Sequence, residues 1–352
     1  MTVRRALGPR VYAAGITVAA LTIGFLFITS VLGAYHAPTP HDVPVAIVGP
    51  AQATTPVKAA LSQRDPGAFD LVSYPSVAAA THAVEYRDAY AALVLPGAAA
   101  GKGGTQLIIA SGIGADPAQV IRAVFTQAAA AMGTTAAVRD IAPLPPGDPA
   151  GITPYFFCVA LYLPSFLFGI MLTFAAPRAS TLSKIVAVIA FAALLGIVEV
   201  AVADGLIGAL TGHAIALAGM GMLTALAFAA AVTALGRVLG TVGIGLSTLT
   251  FLIAGIPSSG GPFGVSFLPA YYRVVGPGLP LTNAATAARN ISYFAGHATG
   301  APLGVLAAWA GGGLLVLTAA ALLENNPRAP RRLRKAPPAP AARVPGTATA
   351  AP

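Results

Sequence analysis

Charge is what this sequence lacks most. Only 9% of its 352 residues are Asp, Glu, Lys or Arg, against roughly 25% in an ordinary soluble domain. Hydrophobic residues make up 56%, so burial in lipid, not in a water-soluble core, is the expectation. Cysteine is almost missing. Cys158 alone excludes an intrachain disulfide framework, and no Cys/His group has zinc spacing. Catalytic spacing is missing too: no nucleophile–base pair or carboxylate dyad stands out, which places an enzyme last among the function classes. A phosphate loop is likewise absent. "GAAAGKGG" at 97–104 has the wrong Gly–Lys spacing, and Gly103 stands where magnesium binding needs Ser or Thr. It reads as a turn between strands.

What the chain has in abundance is long apolar runs. Val11–Leu32 is unbroken and long enough to cross a hydrocarbon core of roughly 30 Å. It exceeds the usual apolar region of a signal peptide and lacks a convincing cleavage site, so 11–33 is read as an uncleaved first span after a short N-terminus at 1–10. Five more spans are expected at about 152–176, 185–207, 213–235, 239–256 and 302–323. Between the first and second spans, residues 36–150 turn soluble. Stretches at 44–50, 69–75, 90–96 and 105–112 read as strands, and 55–64, 76–88 and 116–133 as helices, with Asp116–Pro117 as a cap and first-turn pair. That order predicts one small α/β domain, joined to the second span by the Pro-rich "IAPLPPGDPAG". The fold class is thus a multi-pass α-helical membrane protein: six transmembrane helices with a small extracytoplasmic α/β domain between helices 1 and 2.

The net charge of +9 would suit nucleic acid, but its distribution argues otherwise. With six spans, both termini and the loops at 177–184 and 236–238 share one side. That side collects Arg4, Arg5, Arg10, Arg178, Lys184, Arg237 and the basic residues of a Pro/Ala-rich tail at 324–352. Residues 36–150 hold six basic and eight acidic residues. By the positive-inside rule the termini are cytoplasmic, in an inner cell membrane. The excess charge serves topology and attraction to anionic lipid, with no nucleic-acid partner.

One stretch resists simple reading: "IPSSGGPFGVSFLPAYYRVVGPGLPLTNAATAARN", from Ile256 to Asn290. It is apolar, yet its prolines forbid one helix. Irregular backbone at membrane depth must be buried in protein or line a wet cavity. Pro257 is expected to end span five, with Ser258, Ser259, Gly260 and Gly261 supplying a permissive turn. Short helices are expected at about 266–275 and 281–292, with Pro269 and Pro280 among the prolines that break the stretch. Tyr271 and Tyr272 suit the headgroup level, with Arg273 snorkelling to water. These pieces, within a broken loop at 257–300, form either an outer gate or a cap on the bundle. Glu199 and Asp204 are the only acids inside expected spans, and intramembrane acids are functional candidates. Arg289 is a candidate partner for either. His213 and His297 read as solvated loop residues.

One span, an α/β insert and five further spans resemble the membrane subunits of type-2 ABC exporters. "VPVAIVGP", "EYRDAYAALVLP" and "TQLIIASG" resemble that superfamily's first external loop, and "GIPSSGGPFGVSFLPAYYRVVGPGLPLTNAATAAR" resembles the signature of its YhgE/Pip (phage infection protein) branch. The resemblance covers most of residues 11–323, and the external domain of about 115 residues fits a compact, permease-like member. It implies an ATP-driven export subunit with no cofactor of its own. ATP would act through a separate cytoplasmic ABC ATPase, and the permease would work as a homodimer or heterodimer. The loop at 177–184 is where that ATPase would press. The alternative is a non-transporting envelope protein whose external domain binds a surface or secretion-complex partner.

Overall fold

The computed structural model describes residues 9–97, 104–324 and 326. The expectations for residues 1–8, for the centre of "GAAAGKGG" and for the tail beyond residue 326 lie outside these. Six helices are long and apolar enough to cross a membrane: Ala13–Tyr35, Thr153–Phe174, Thr181–Leu206, Ala214–Leu239, Thr241–Ser258 and Gly300–Leu323. They differ from the sequence expectation by no more than four residues at either end.

Helix α1 (Pro9–Tyr35) leads into a sheet of five strands: β1 (Val43–Val48), β2 (Phe69–Ser73), β3 (Ala91–Val94), β4 (Gln106–Ile109) and β5 (Ala137–Asp140). The order is β2-β1-β3-β4-β5, parallel except between β3 and β4. Strands β1 and β3 are buried almost throughout, as continuous apolar runs covered on both faces should be. The edge strands β2 and β5 are largely exposed. Strand β5 was absent from the sequence reading, because "AVRD" is short and polar. Helices α2 (Ala51–Arg64), α3 (Val77–Glu85) and α4 (Ala115–Ala131) connect the strands. The Ser76 side chain caps α3 by accepting from Ala79 N at 3.1 Å. Helix α4 starts from Gly114 with no side-chain cap; Asp116 instead lies in its first turn, where a carboxylate favours the helix dipole.

The bundle comprises α5 (Thr153–Phe174), α6 (Thr181–Val200), α7 (Ala214–Leu239), α8 (Thr241–Ser247), the short α9 (Ile256–Ser258) and α12 (Gly300–Leu323). Wide π turns at 201–206 extend α6, and others at 248–255 carry α8 into α9. Two further short helices, α10 (Ala270–Val275) and α11 (Pro280–Tyr293), lie in the interrupted segment.

Helix α7 is the hub, and its neighbours press glycines against it. A Cβ added at Gly169 of α5 would lie 2.7 Å from Val232 Cβ; at Gly196 of α6, 2.6 Å from Met222 N; at Gly313 of α12, 2.7 Å from the Ala230 carbonyl carbon. Without a hydrophobic drive between helices in lipid, this close backbone approach is what holds them. By contrast Gly311 meets nothing within 4 Å. Gly240 takes φ 64° in the tight turn into α8, a conformation that suits glycine.

Helix α1 stands apart. Residues 13–26 are all exposed, and its buried and half-buried positions among those described lie in its final turns, where it meets the end of the fifth span.

Candidate functional site

The interrupted segment between α9 and α12 is where polar chemistry gathers. Nine buried side-chain N or O atoms lack a hydrogen-bond partner among the described residues, and six of them lie between Ser258 and Ser292. The segment begins with a proline problem. Pro257 has no N–H to return to the Ile253 carbonyl four residues back. Ser30 Oγ of α1 donates to that carbonyl at 2.9 Å instead. The Ile256 carbonyl accepts from Tyr35 Oη at 2.9 Å and from Ser259 Oγ at 2.6 Å. Pro257 therefore does not end the fifth span but sits inside its last turn, since helix α1 helps satisfy the backbone around it. Gly260 and Gly261 then reverse the chain at φ 81° and 50°.

Pro269 precedes α10, and Tyr271 is 60% exposed. Tyr272 and Arg273 beside it bond to other parts of the chain. Tyr272 Oη donates to the Ser30 carbonyl at 2.8 Å, and Arg273 pairs with Asp42 at 2.8 Å just before β1. The His41 N–H also bonds the Ser266 carbonyl, and Tyr90 of the sheet domain reaches the Ser266 hydroxyl. Phe267 and Phe294 are buried in the same core as Ile47, Leu93 and Phe125. The segment is thus a mounting plate for the sheet domain, which shares its core.

Helix α11 opens with Pro280, a residue suited to the first turn. Although polar in composition, it is buried along nearly its whole length, against α5, α7 and α12. Its start lies deep: Trp309 Nε1, nine residues into α12, donates to the Gly278 carbonyl at 2.9 Å, about 13 Å along that helix from its first residue. Thr282 Oγ1 donates to the Ser258 carbonyl, and Asn283 Nδ2 to the Pro277 and Leu279 carbonyls. At the far end Tyr293 donates to Asp148, whose carboxylate also accepts from Ile152 N and Thr153 N at the start of α5. Burial, then the bond to this carboxylate, raises the Tyr293 hydroxyl above the ordinary phenol range.

Arg289 lies near the sheet-domain end of α11, 5% exposed, with Nε and Nη2 unpartnered. It pairs with neither Glu199 nor Asp204. The three ion pairs among the described residues are Arg64–Asp65, Arg237–Glu324 and Arg273–Asp42. The electrostatic neighbours of Arg289 include Arg87 and Tyr90 of the sheet domain, along with Tyr293 and Cys158. Burial, reinforced by the charge of Arg87, pushes the Arg289 guanidinium down to about 10. Burial lowers Arg87 as well. The Arg87 guanidinium lies 4.7 Å from the Phe294 ring centre and 5.6 Å from that of Tyr90, and its Nη1 is unpartnered. Nothing in the sequence signals this meeting across two hundred residues. Asp148 passed as part of the Pro-rich linker, although an acid shortly ahead of Thr153–Pro154 is a signal that could have found it.

Glu199 and Asp204 are half-buried and come together with no other candidate. His297 is not a simple solvated residue: Tyr86 stacks between it and His82, with ring centres 4.1 and 4.0 Å away. At the opposite end of the bundle, Glu324 binds the start of α6. It accepts from Thr181 N at 2.7 Å, from the Thr181 hydroxyl and from Arg237 Nη2 at 3.2 Å, while Arg237 Nε donates to Thr181 Oγ1 at 2.8 Å. Burial alone would raise the Glu324 carboxyl, but the bonds from Thr181 and then Arg237 leave it below its ordinary range. Among the described residues, no group of three or more His, Cys, Asp or Glu could hold a metal ion.

No protein family, curated protein or solved structure matches this chain.

Proposed function

We propose that the chain is a permease-like membrane subunit of an ABC-type exporter, moving an unidentified substrate outward with a separate ATPase. The observation that carries this reading is α11: a polar helix buried between α5, α7 and α12, beneath the domain mounted on its own segment. A bundle with no such task has little reason to enclose a helix carrying Thr282, Asn283, Arg289 and Asn290. In this reading the sheet domain is outside the inner membrane. Arg178, Lys184 and Arg237 at the opposite end of the bundle face the cytoplasm, as the positive-inside rule favours. The loop at 177–184, held by the Glu324–Thr181 contact, is the surface on which an ATPase would act, and a second permease chain completes the pathway. The segment from Ser258 to Arg289 is then a gate whose inner part is α11.

The test is affinity purification of the tagged full chain from its native membrane. A co-purifying Walker-type ATPase, with ATP hydrolysis reduced by substitutions in 177–184, supports export. Recovery without any ATPase, together with unchanged export on deletion of the gene, refutes it.

A second reading is favoured by an apolar groove between α2 and α4, lined by Pro56, Val57, Leu61, Ala128 and Met132, with Met132 41% exposed. It suits an envelope protein that binds a partner through its sheet domain. Loss of one specific envelope partner on Met132→Glu in the full chain, with no ATPase recovered, would select it.

A further inference from the structure

Three observations meet where the sheet domain rests on α11. The first is the arginine pair itself, both members holding unpartnered nitrogens. All eleven acidic residues of the chain are among those described, and none forms an ion pair with Arg87 or Arg289. A buried cation is ordinarily matched by a counter-charge, because removing it from water uncompensated is expensive.

The second is backbone geometry. Helix α3 ends in a Schellman turn: Asp88 N bonds the Ala83 carbonyl and Arg87 N the Val84 carbonyl. Arg87 occupies the left-handed position of that turn, at φ 67°, where glycine is the ordinary choice. An arginine kept in a conformation that its Cβ disfavours points to a task for its side chain. The third is access. A cleft of about 200 Å³ lined by Glu85, Tyr293, Phe294 and His297 opens beside the pair; neither guanidinium lines it, but Phe294 is also the ring that Arg87 covers at 4.7 Å.

We infer that Arg87 and Arg289 together form a binding site for a single phosphate group, whether free or in a phospholipid headgroup. Two guanidinium forks offer more donors than one carboxylate can accept, and a phosphate has the oxygens and the charge to engage both. The inference stands whether or not the chain exports anything.

The test uses the purified full chain. In lipid-depleted detergent, inorganic phosphate is titrated against chloride at matched ionic strength, and thermal unfolding is followed. In parallel, native mass spectrometry of protein from phosphatidylglycerol nanodiscs counts retained phospholipid. Stabilisation by phosphate in detergent identifies free phosphate as a sufficient ligand; one phospholipid retained per chain identifies the headgroup source. Arg289→Gln lowers apparent phosphate affinity at least tenfold or abolishes the retained lipid. Arg87→Gly is the decisive variant. It relieves the left-handed strain, so its melting temperature in phosphate-free buffer equals or exceeds that of the wild type, while its response to phosphate or lipid is lost. If wild-type protein shows neither a phosphate-specific shift nor a retained phospholipid, the inference is overturned. The same holds if Arg87→Gly keeps the full response.

Discussion

Replacing Glu324 with Ala tests how the bundle is closed at the end opposite the sheet. One carboxylate oxygen there accepts the Thr181 N–H, the Thr181 hydroxyl and Arg237 Nη2. The side chains of Arg237 and Glu324 are only 12% and 9% exposed, so water replaces little of what is lost. Breaking a fully buried ion pair costs about 3–5 kcal/mol. The residual exposure puts this one at the lower edge, about 3 kcal/mol, or roughly a hundredfold in the folding equilibrium. Glu324→Gln keeps an acceptor for the Thr181 N–H but loses the charge, and should cost about half as much, near 1.5 kcal/mol. Unfolding by SDS in mixed micelles, followed through the single tryptophan, Trp309, measures both. A double-mutant cycle with Arg237→Gln should return a coupling of about 1–2 kcal/mol. The pH dependence has a definite sign. Because the folded-state pKa is depressed, the stabilisation is present above the ordinary carboxyl value of 4.5 and is lost as pH falls below it. Glu324→Ala should flatten that acid limb. A variant within 0.5 kcal/mol of wild type, with the acid limb intact, refutes the reasoning.

Ser30→Ala removes the hydroxyl that serves the Ile253 carbonyl, and should cost about 1–2 kcal/mol while raising protease sensitivity between α1 and β1. Asp148→Ala strips the cap from α5 and the acceptor from Tyr293, and should cost about 1–2 kcal/mol in the same titration; Tyr293→Phe, which keeps the cap, should cost less. Gly196→Ala forces a methyl to within 2.6 Å of Met222 N and should destabilise by about 1–3 kcal/mol. Gly311→Ala, with open space around it, should be neutral or slightly stabilising; equal effects at the two glycines would dismiss the close-packing account of α7.

The spans were legible because each is one uninterrupted apolar run, and the inner strands because β1 and β3 are apolar throughout. The helix expected at 281–292 is α11, but the one expected at 266–275 ran through Pro269, whereas α10 begins only after that proline, since proline can start a helix but not continue one. Strand β5 was missed because an edge strand with exposed polar side chains carries no apolar alternation. The site was harder. Arg289 was legible as the charge that closes the 256–290 stretch just before the last span, yet its expected acidic partners lie elsewhere. Its actual neighbour, Arg87, has the same sign and comes from a different domain. No pattern of spacing encodes that. The role of Glu324 was hidden for a related reason: it looked like the first residue of a basic tail, and only packing brings it to Thr181.

The way α1 is held has a consequence for its register. Its hydrogen bonds to the rest of the chain fall in its last turns, through Ser30 and Tyr35, while residues 13–26 are all exposed. One residue inserted between Ser30 and Tyr35 would turn one contact about 100° away from the other. The same insertion before residue 26 would leave both in phase. Helix α1 is therefore locked in phase at one end and tolerant of length at the other, so membrane thickness can be met by adjusting its free end without disturbing the seat of the sheet domain.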